Sequence, residues 1–438
     1  MTPVKLLSPS AIALHLILVA TVLIYARLFG PPQPPSIPVP YQELESRKGL
    51  SESEPLDQMS HIDHSLLLSE TRPGSMRHQS FFERDGKLWG RLENRWVAEL
   101  TLDAQVQKVA NYWFSKSKSA MGALALVEVD SGRILGLSEY IDPKHPVTQR
   151  LRPNPNIHLA LQSLAPGSGV FRLVSAAALL EHGVNPLKSY CYTKFKGTWL
   201  QEFHLTNRNP NACNNLTEAI STTDNSYLAQ VTHSVLPPDR LKKMSMDLGF
   251  DRRYSYFGLP YELSAAHIPS DPLTRAKSAL GFKGSKMNVL HAALVMSAIA
   301  TNGTLHSPRL VERITGEDGR EISAPQFPPM AQGMSPSTAA RLRRMMKNAI
   351  HESPTGRVFQ NWPAKLRNMR VAGQASVRTY RKPEFTRYTW FVGYIPAESP
   401  QWAVAVMVVN HQRWYVRALD IAHRVLREVL SQLDENDE

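Results

Sequence analysis

Along the last three quarters of the chain, apolar residues occur either in short runs or at a spacing of three and four residues. The runs predict strands, and the spacing predicts helices. From Leu100 to Phe114, a short apolar run precedes apolar residues spaced three and four apart, which predicts a strand and then a helix capped by Asp103. Two apolar runs joined by Asp130-Ser131-Gly132 predict a hairpin over Gly122–Leu137. The same patterns predict strands at Tyr388–Tyr394 and Trp402–Val409, and helices at Phe171–Glu181, Leu216–Thr232, Asp239–Leu248, Asn288–Ala300, Ser335–His351 and Val416–Leu433.

The order of these elements predicts an α+β fold. A hairpin is followed by a helical insertion, a second hairpin and a terminal helix, and an antiparallel sheet flanked by helices is the simplest architecture that buries their apolar faces. We expect this domain to span residues 99–434. Residues 30–98 are predicted to be a linker and a polar lead-in, because residues 31–40 are proline-rich and residues 41–77 show no sustained periodicity.

Residues 10–29 form an apolar stretch of about 20 residues, the length that crosses a bilayer as a helix. A cleaved signal peptide and a buried core helix are the alternatives. No small-x-small cleavage pattern follows the stretch, which favours an uncleaved transmembrane anchor. We therefore predict a single-pass inner-membrane protein, with residues 1–9 as a cytoplasmic tail and the globular domain on the periplasmic, extracytoplasmic side.

The composition narrows the possible partners. The chain has 438 residues, of which 42% are hydrophobic and 20% charged, as in a globular protein. Fifty Lys and Arg residues against 38 Asp and Glu residues give a net charge of +12, which is compatible with nucleic acid, anionic lipid or an acidic polymer. The chain lacks an arginine-rich arm, zinc-ligand spacing and an aromatic–basic RNA-binding signature, so nucleic acid is not predicted as a partner.

Two cysteines and two neighbouring histidines are the candidate ligands for a metal. Cys191 and Cys213 are too few for a Cys₄ zinc site or an iron–sulfur cluster, and His61 and His64 lack an evident third ligand. We predict no metal and no other cofactor. Since an export signal precedes the two cysteines, we predict that they form a disulfide.

Five segments in order resemble the transpeptidase domain of penicillin-binding proteins, which shares its fold with serine β-lactamases. The resemblance extends from about Leu100 to Leu433. It implies this fold, a role in peptidoglycan synthesis, and peptidoglycan or muropeptide stem peptides as ligands, with other cell-wall synthesis proteins as further partners. The segments are GALALVEVDSGRILGLSEY, ALQSLAPGSGVFRLVSAAALLEHG, LTEAISTTDNSYLAQ, NVLHAALVMSAIATNGTLHSPRLV, and VAGQASV followed by TWFVGYIPAESPQWAVAVMVVN.

The chemistry of this family needs three motifs. In S-x-x-K, the lysine lies one helical turn after the nucleophilic serine and accepts its proton. The serine of S-x-N relays protons, and the lysine of K-T-G supports the site and attracts the substrate carboxylate. A proton acceptor beside the nucleophile is therefore the first requirement for acylation.

The first motif aligns in two ways, and neither gives a Ser–Lys pair. Counting from Pro166-Gly167, the nucleophile is Ser168 and the lysine position holds Phe171. Counting from the following helix, one residue is inserted, and Gly169 and Arg172 take the two positions. The second alignment is favoured because it keeps the buried face of the helix in register. Arg172 is not a base, since a guanidinium stays protonated at physiological pH.

The second and third motifs are altered to different degrees. The second is Thr223-Asp224-Asn225, which keeps a hydroxyl and an amide; an alternative is that Asp224 and Asn225 only satisfy backbone groups at a helix start. The third is Gln374-Ala375-Ser376 in place of K-T-G. Ser376 either hydrogen-bonds a ligand or is an ordinary strand residue. We predict Thr223, Asn225, Gln374 and Ser376 as substrate-binding residues.

Two other stretches match the motif patterns by residue type alone. Ser115–Lys118 contains a literal S-x-x-K, but it follows a helix that precedes the first hairpin, so a solvated turn is expected. Lys283-Gly284-Ser285 resembles K-S-G loosely and falls in the family's Gly-rich loop. Neither is predicted to be catalytic.

Three functions follow from these motifs. The favoured one is a membrane-anchored, non-acylating pseudo-transpeptidase that serves as a scaffold or regulator, because two lysines that each support the rate are absent. The second is an active serine D,D-transpeptidase that uses Ser168 with an unrecognised base. The third is a non-covalent receptor for muropeptides or β-lactams.

Overall fold

The computed structural model describes two antiparallel sheets with helices packed around them. It covers residues 81–436 apart from residues 85, 92–95, 156, 254–260, 317–319, 324–327, 353–355, 361, 364–365, 367–368, 382–384 and 414. The predicted tail, anchor and proline-rich spacer, and the His61–His64 pair, lie outside the described residues. No helix among the described residues has the length and apolarity needed to span a membrane.

The elements are numbered in chain order. The strands are β1 (Phe81–Arg84), β2 (Lys87–Arg91), β3 (Trp96–Asp103), β4 (Met121–Glu128), β5 (Ile134–Ile141), β6 (Tyr190–Tyr192), β7 (Ala212–Asn214), β8 (Ala265–Ala266), β9 (Ser285–Lys286), β10 (Thr304–Leu305), β11 (Val311–Gly316), β12 (Glu321–Ser323), β13 (Ala331–Gln332), β14 (Ala372–Tyr380), β15 (Thr386–Ile395) and β16 (Trp402–Asn410). The α-helices are α1 (Ala104–Ser115), α2 (Pro146–Leu151), α3 (Ser168–Glu181), α4 (Glu202–Leu205), α5 (Leu216–Ser221), α6 (Asn225–Val235), α7 (Pro238–Asp247), α8 (Pro272–Ala279), α9 (Val289–Ala300), α10 (Pro336–Glu352), α11 (Arg357–Gln360) and α12 (Ala418–Asn436).

Ten of the described strands form two five-stranded sheets, where the sequence predicted one sheet, and the other six form the two-stranded pairs β6–β7, β8–β9 and β10–β13. The first sheet has the order β1-β2-β3-β11-β12 and the second the order β14-β15-β16-β4-β5, with antiparallel pairing throughout. Strands β1 and β2 lie in the segment predicted to be a polar lead-in. They are four and five residues long and carry charged residues, so their hydrophobic pattern is weak.

The second sheet is buried on both faces, which explains why β4 and β16 are almost continuously apolar. Met121, Ala123 and Ala125 of β4 face the core that contains the fully buried helix α9. The alternate residues Leu124 and Leu126 face the core formed with α1 and α12. The predicted hairpins β4–β5 and β15–β16 are confirmed.

Local capping signals place several helix starts correctly. The Asp103 carboxylate accepts a hydrogen bond from the Val106 N–H at 2.8 Å, as predicted for the N-cap of α1. Asn288 caps α9 in the same way, through the His291 N–H at 2.7 Å. The predicted continuous helix over Leu216–Thr232 is wrong, because the chain breaks between α5 and α6 at Thr223, whose φ is +62°.

The predicted disulfide is confirmed. Cys191 of β6 lies directly opposite Cys213 of β7, with 3.9 Å between their Cα atoms, and the two sulfur atoms are bonded. The disulfide closes the segment that contains α4. Strand β6 also carries Tyr192, which brings this closed segment against the start of α6.

Candidate functional site

The start of α3 carries the residues aligned with the first motif. Ser168 is the first residue of this helix and is only 2% exposed. Its hydroxyl lies 3.1 Å from the Ser376 hydroxyl on β14, its one side-chain hydrogen bond among the described residues. The carbonyl before the helix is fixed as well, since Trp390 Nε1 donates to Pro166 O at 3.0 Å. Among the residues that the structure describes, the Ser168 hydroxyl is therefore hydrogen-bonded to another serine and to no base.

Arg172 lies one helical turn after Ser168 and contacts the second motif. One guanidinium nitrogen, Nη1, donates to Asn225 Oδ1 at 3.1 Å, whereas Nε and Nη2 are buried without a partner. Phe171 instead packs edge-to-face on Phe250 in the core, with 5.3 Å between ring centroids. Arg172, and not Phe171, is thus the residue of this turn that contacts the second motif.

Arg172 is a buried cation that has no carboxylate beside it in the described part of the chain. The side chain is 4% exposed, and burial lowers its pKa to about 10. At neutral pH the group is still protonated, so it accepts no proton. The same burial makes its charge costly to the folded state, because the described neighbours supply no opposite charge.

The second motif occupies the turn between α5 and α6. Asp224 caps α6 by accepting from the Ser226 and Tyr227 N–H groups at 3.0 and 3.1 Å, and it also accepts from the Tyr192 hydroxyl. Burial first, and then the Asp224 carboxylate, raise the pKa of Tyr192. Asp224 is thus a structural residue in this turn. Asn225 differs, because its side-chain oxygen accepts from Arg172.

The third motif lies on β14. Gln374 and Ser376 share the face toward α3, while Ala375 between them packs in the core on the other side of the sheet. Gln374 Nε2 donates to Ile220 O at the end of α5 at 3.0 Å, and its Oε1 atom is buried without a partner. A neutral amide therefore ties β14 to α5 where the family motif has a cation.

Gly169 permits a close approach between α3 and β14. A Cβ atom at this position would lie 2.6 Å from Ser376 Oγ and 2.9 Å from Ser376 Cβ. Ser376 is itself only 9% exposed. The two elements are thus in contact where a nucleophile would need room for a substrate.

We expect Gly169→Ser to lower the free energy of unfolding by about 1–3 kcal/mol, since overpacking displaces side chains or backbone. Ser376→Gly removes the contacting atoms and should restore most of that loss. Urea denaturation of both single variants and the double variant measures the coupling. Additive losses in the double variant would contradict the proposed contact.

The loop after α8 also shapes the site, although the sequence did not identify its role. Gly281 has a φ of +66° and ends α8, with its N–H bonded to Ser278 O and the Phe282 N–H bonded to Lys277 O. A Cβ atom on Gly281 would lie 2.6 Å from Ser168 Cα. A glycine after a helix is a local signal for a cap, but its contact with Ser168 cannot be read from the sequence.

The two other stretches that match motif patterns, Ser115–Lys118 and Lys283–Ser285, lie in different parts of the fold. Ser115 ends α1, with its hydroxyl bonded to Tyr112 O, and Ser117 bonds Ser119. Ser285 of the second stretch is buried close to Gly167, where a Cβ atom would lie 3.3 Å from Ser285 Oγ. Ser285 is therefore a neighbour of the site, a position that the sequence did not predict.

Comparison with known proteins agrees with this architecture. Residues 122–431 match the family described as the penicillin binding protein transpeptidase domain. The chain belongs to this family. PbpB of Mycolicibacterium smegmatis is 25% identical over 340 residues, which are 72% of this chain and 51% of that protein. The peptidoglycan D,D-transpeptidase PbpA of the same organism is 25% identical over 336 residues, 71% of this chain and 66% of that one. The chain thus matches between half and two thirds of the length of these relatives.

Solved penicillin-binding proteins share the fold. Penicillin-binding protein A of Mycobacterium tuberculosis, as a penicillin G acyl-enzyme complex, superposes with a TM-score of 0.61 at 21% identity, covering 76% of this chain and 80% of that one. The D,D-transpeptidase domain of a peptidoglycan glycosyltransferase from Eggerthella lenta gives 0.61 at 22% identity, covering 77% and 83%. The expected α+β transpeptidase fold is confirmed for the described residues.

Proposed function

We propose that this member of the penicillin-binding protein family is a non-acylating pseudo-transpeptidase. It serves as a scaffold, regulator or stem-peptide receptor in peptidoglycan synthesis. The observation that carries the proposal is the hydrogen bond of Ser168 to Ser376, with the cation Arg172 in the lysine position.

The argument rests on proton transfer. A serine hydroxyl becomes a nucleophile when a neighbouring group accepts its proton. The Ser376 hydroxyl and the Gln374 amide are not bases at neutral pH, and Arg172 is already protonated. The Gln374 amide also offers a substrate carboxylate no positive charge, so a charge-assisted contact of about 1.5–3 kcal/mol is missing.

The cellular location belongs to the same proposal. Residues 10–29 anchor the protein in the inner membrane, and the oxidised cysteine pair fits a domain on the periplasmic side. Stem peptides and other cell-wall synthesis proteins are its partners there. If the anchor is retained, the protein stays in the membrane fraction after a salt wash, which removes proteins held only by charge. A mature N-terminus that begins after residue 30 would contradict the anchor.

The test of inactivity is intact-protein mass spectrometry after exposure to penicillin. We expect no mass increase in the wild-type protein, and penicillin-binding protein A of M. tuberculosis, which forms a penicillin G acyl-enzyme, serves as the positive control for the probe. Restoring the family residues requires Gly169→Ser, Arg172→Lys and Gln374→Lys, and the close approach of Gly169 requires Ser376→Gly as well. We expect only this fourfold variant to gain an adduct.

One observation favours the second candidate, an active enzyme that uses Ser168. This residue opens α3, where the helix dipole stabilises a developing negative charge. A stoichiometric adduct on Ser168 in the wild-type protein would establish that candidate and overturn the pseudoenzyme. Saturable binding of a stem peptide without an adduct would identify the receptor role.

A further inference from the structure

A cleft beside the candidate site is lined by positively charged side chains. Its volume is about 940 Å³, in the range of ligand sites, and it lies between the end of β14, the loop after α8 and strand β9. Its described lining contains five cationic side chains and no carboxylate. The cations are Arg150, Lys277, Lys283, Lys286 and Arg378.

Three of these five cations form no ion pair with a carboxylate in the described part of the chain. Lys277, Lys286 and Arg378 form no ion pair there, and the Arg150 guanidinium donates to the Thr386 hydroxyl. Lys283 has the exposed Asp271 nearby, whose pKa is lowered by hydrogen bonds from Thr274 first and by Lys283 to a smaller extent. The positive charges therefore act together on the enclosed volume.

Arg378 is held in position by aromatic rings. Its guanidinium carbon lies 4.8 Å from the Phe282 ring centroid and 5.0 Å from that of Tyr380. Its Nε atom is buried without a hydrogen-bond partner. A guanidinium fixed in this way presents a planar fork of donors that matches phosphate and carboxylate oxygens.

The wall of the cleft provides an independent observation. Ser285 is 5% exposed, and its buried hydroxyl has no hydrogen-bond partner among the described residues. Most buried polar groups are hydrogen-bonded. An unpaired hydroxyl in the wall of a cationic cleft therefore indicates that a bound ligand accepts its hydrogen bond. The buried, unpaired Ser285 hydroxyl and the Arg378 guanidinium held by two aromatic rings distinguish this cleft from a surface with scattered lysines.

We propose that this cleft binds an anionic ligand that carries at least two phosphate or carboxylate groups. Arg378 engages one group through its guanidinium, the Ser285 hydroxyl donates to an oxygen atom, and the lysines neutralise the remaining charge. The proposal does not depend on whether Ser168 acylates, because none of the residues aligned with the three motifs lines the cleft.

Isothermal titration of the full-length protein with inorganic pyrophosphate and with triglutamate tests the proposal. We expect saturable binding of at least one probe, with an affinity that falls as the salt concentration rises. Binding of pyrophosphate alone identifies phosphate as the ligand chemistry, and binding of triglutamate alone identifies carboxylate. The absence of saturable binding of both probes in the millimolar range overturns the proposal.

Matched variants separate the cleft from general surface charge. The double variant Lys283→Gln with Lys286→Gln should weaken binding at least about tenfold, because it removes charge-assisted contacts to the ligand. Ser285→Ala should weaken binding about fivefold, because it removes one hydrogen bond from a neutral hydroxyl. Arg378→Lys keeps the positive charge but removes the planar guanidinium donors. It should therefore weaken binding more than the control variant Lys188→Gln with Lys242→Gln, which changes two exposed lysines outside the cleft. An equal loss in the control pair would overturn the site.

Discussion

Replacing Gly281 with alanine is expected to lower the free energy of unfolding by about 4 kcal/mol. Two effects add. The residue has a φ of +66°, which costs alanine about 1 kcal/mol, and the new Cβ would lie 2.6 and 2.7 Å from the Ser168 Cα and N atoms. The contacting atoms are backbone, so relief requires that the start of α3 or the loop after α8 moves.

Gly183 provides a matched control for this variant. It follows α3 in the same capping arrangement, with its N–H bonded to Leu180 O and the Val184 N–H bonded to Leu179 O. Its φ is +89°, but no atom lies within 4 Å of an added Cβ. Gly183→Ala should therefore cost only about 1 kcal/mol in urea denaturation. Equal losses in the two variants would show that the contact with Ser168 carries no energy.

Arg172→Met is expected to stabilise the protein, by about 1–4 kcal/mol. Methionine fills a similar volume without a charge, so the folded state no longer holds a buried cation that the described residues leave uncompensated. The lost hydrogen bond to Asn225 costs little, because that side chain is only half-buried and has access to water.

Arg172→Lys is the control, since it keeps a positive charge in the same place. We expect no comparable gain in urea denaturation from this variant. A loss of stability in Arg172→Met would mean that the guanidinium is compensated by interactions other than the one to Asn225. Intact-protein mass spectrometry after penicillin treatment should show no adduct on either variant, because Arg172→Met adds no base and Arg172→Lys leaves position 169 without a hydroxyl.

The sequence predicted the elements whose signals are local. The carboxylate of Asp103 and the side chain of Asn288 mark helix starts, and the two apolar runs joined by Asp130-Ser131-Gly132 mark the hairpin of β4 and β5. The break at Thr223 was missed because neither glycine nor proline marks it; a threonine takes the left-handed conformation there. Strands β1 and β2 were missed because they are short and polar.

The candidate site was predictable in its members but not in its packing. The family resemblance named Arg172 and Asn225 as members of two motifs, and the structure brings these two side chains together. The contacts of Gly169 with Ser376 and of Gly281 with Ser168 join residues more than 100 positions apart. Such contacts depend on how α3, β14 and the loop after α8 meet, which no local pattern encodes.

The contact between Gly169 and Ser376 also constrains how this protein can change over generations. A mutation that introduces serine at position 169 creates a steric conflict while Ser376 is present. If the side chain at 376 is removed first, the same serine enters without that conflict. The stability of the intermediate sequence therefore depends on which of the two positions changes first.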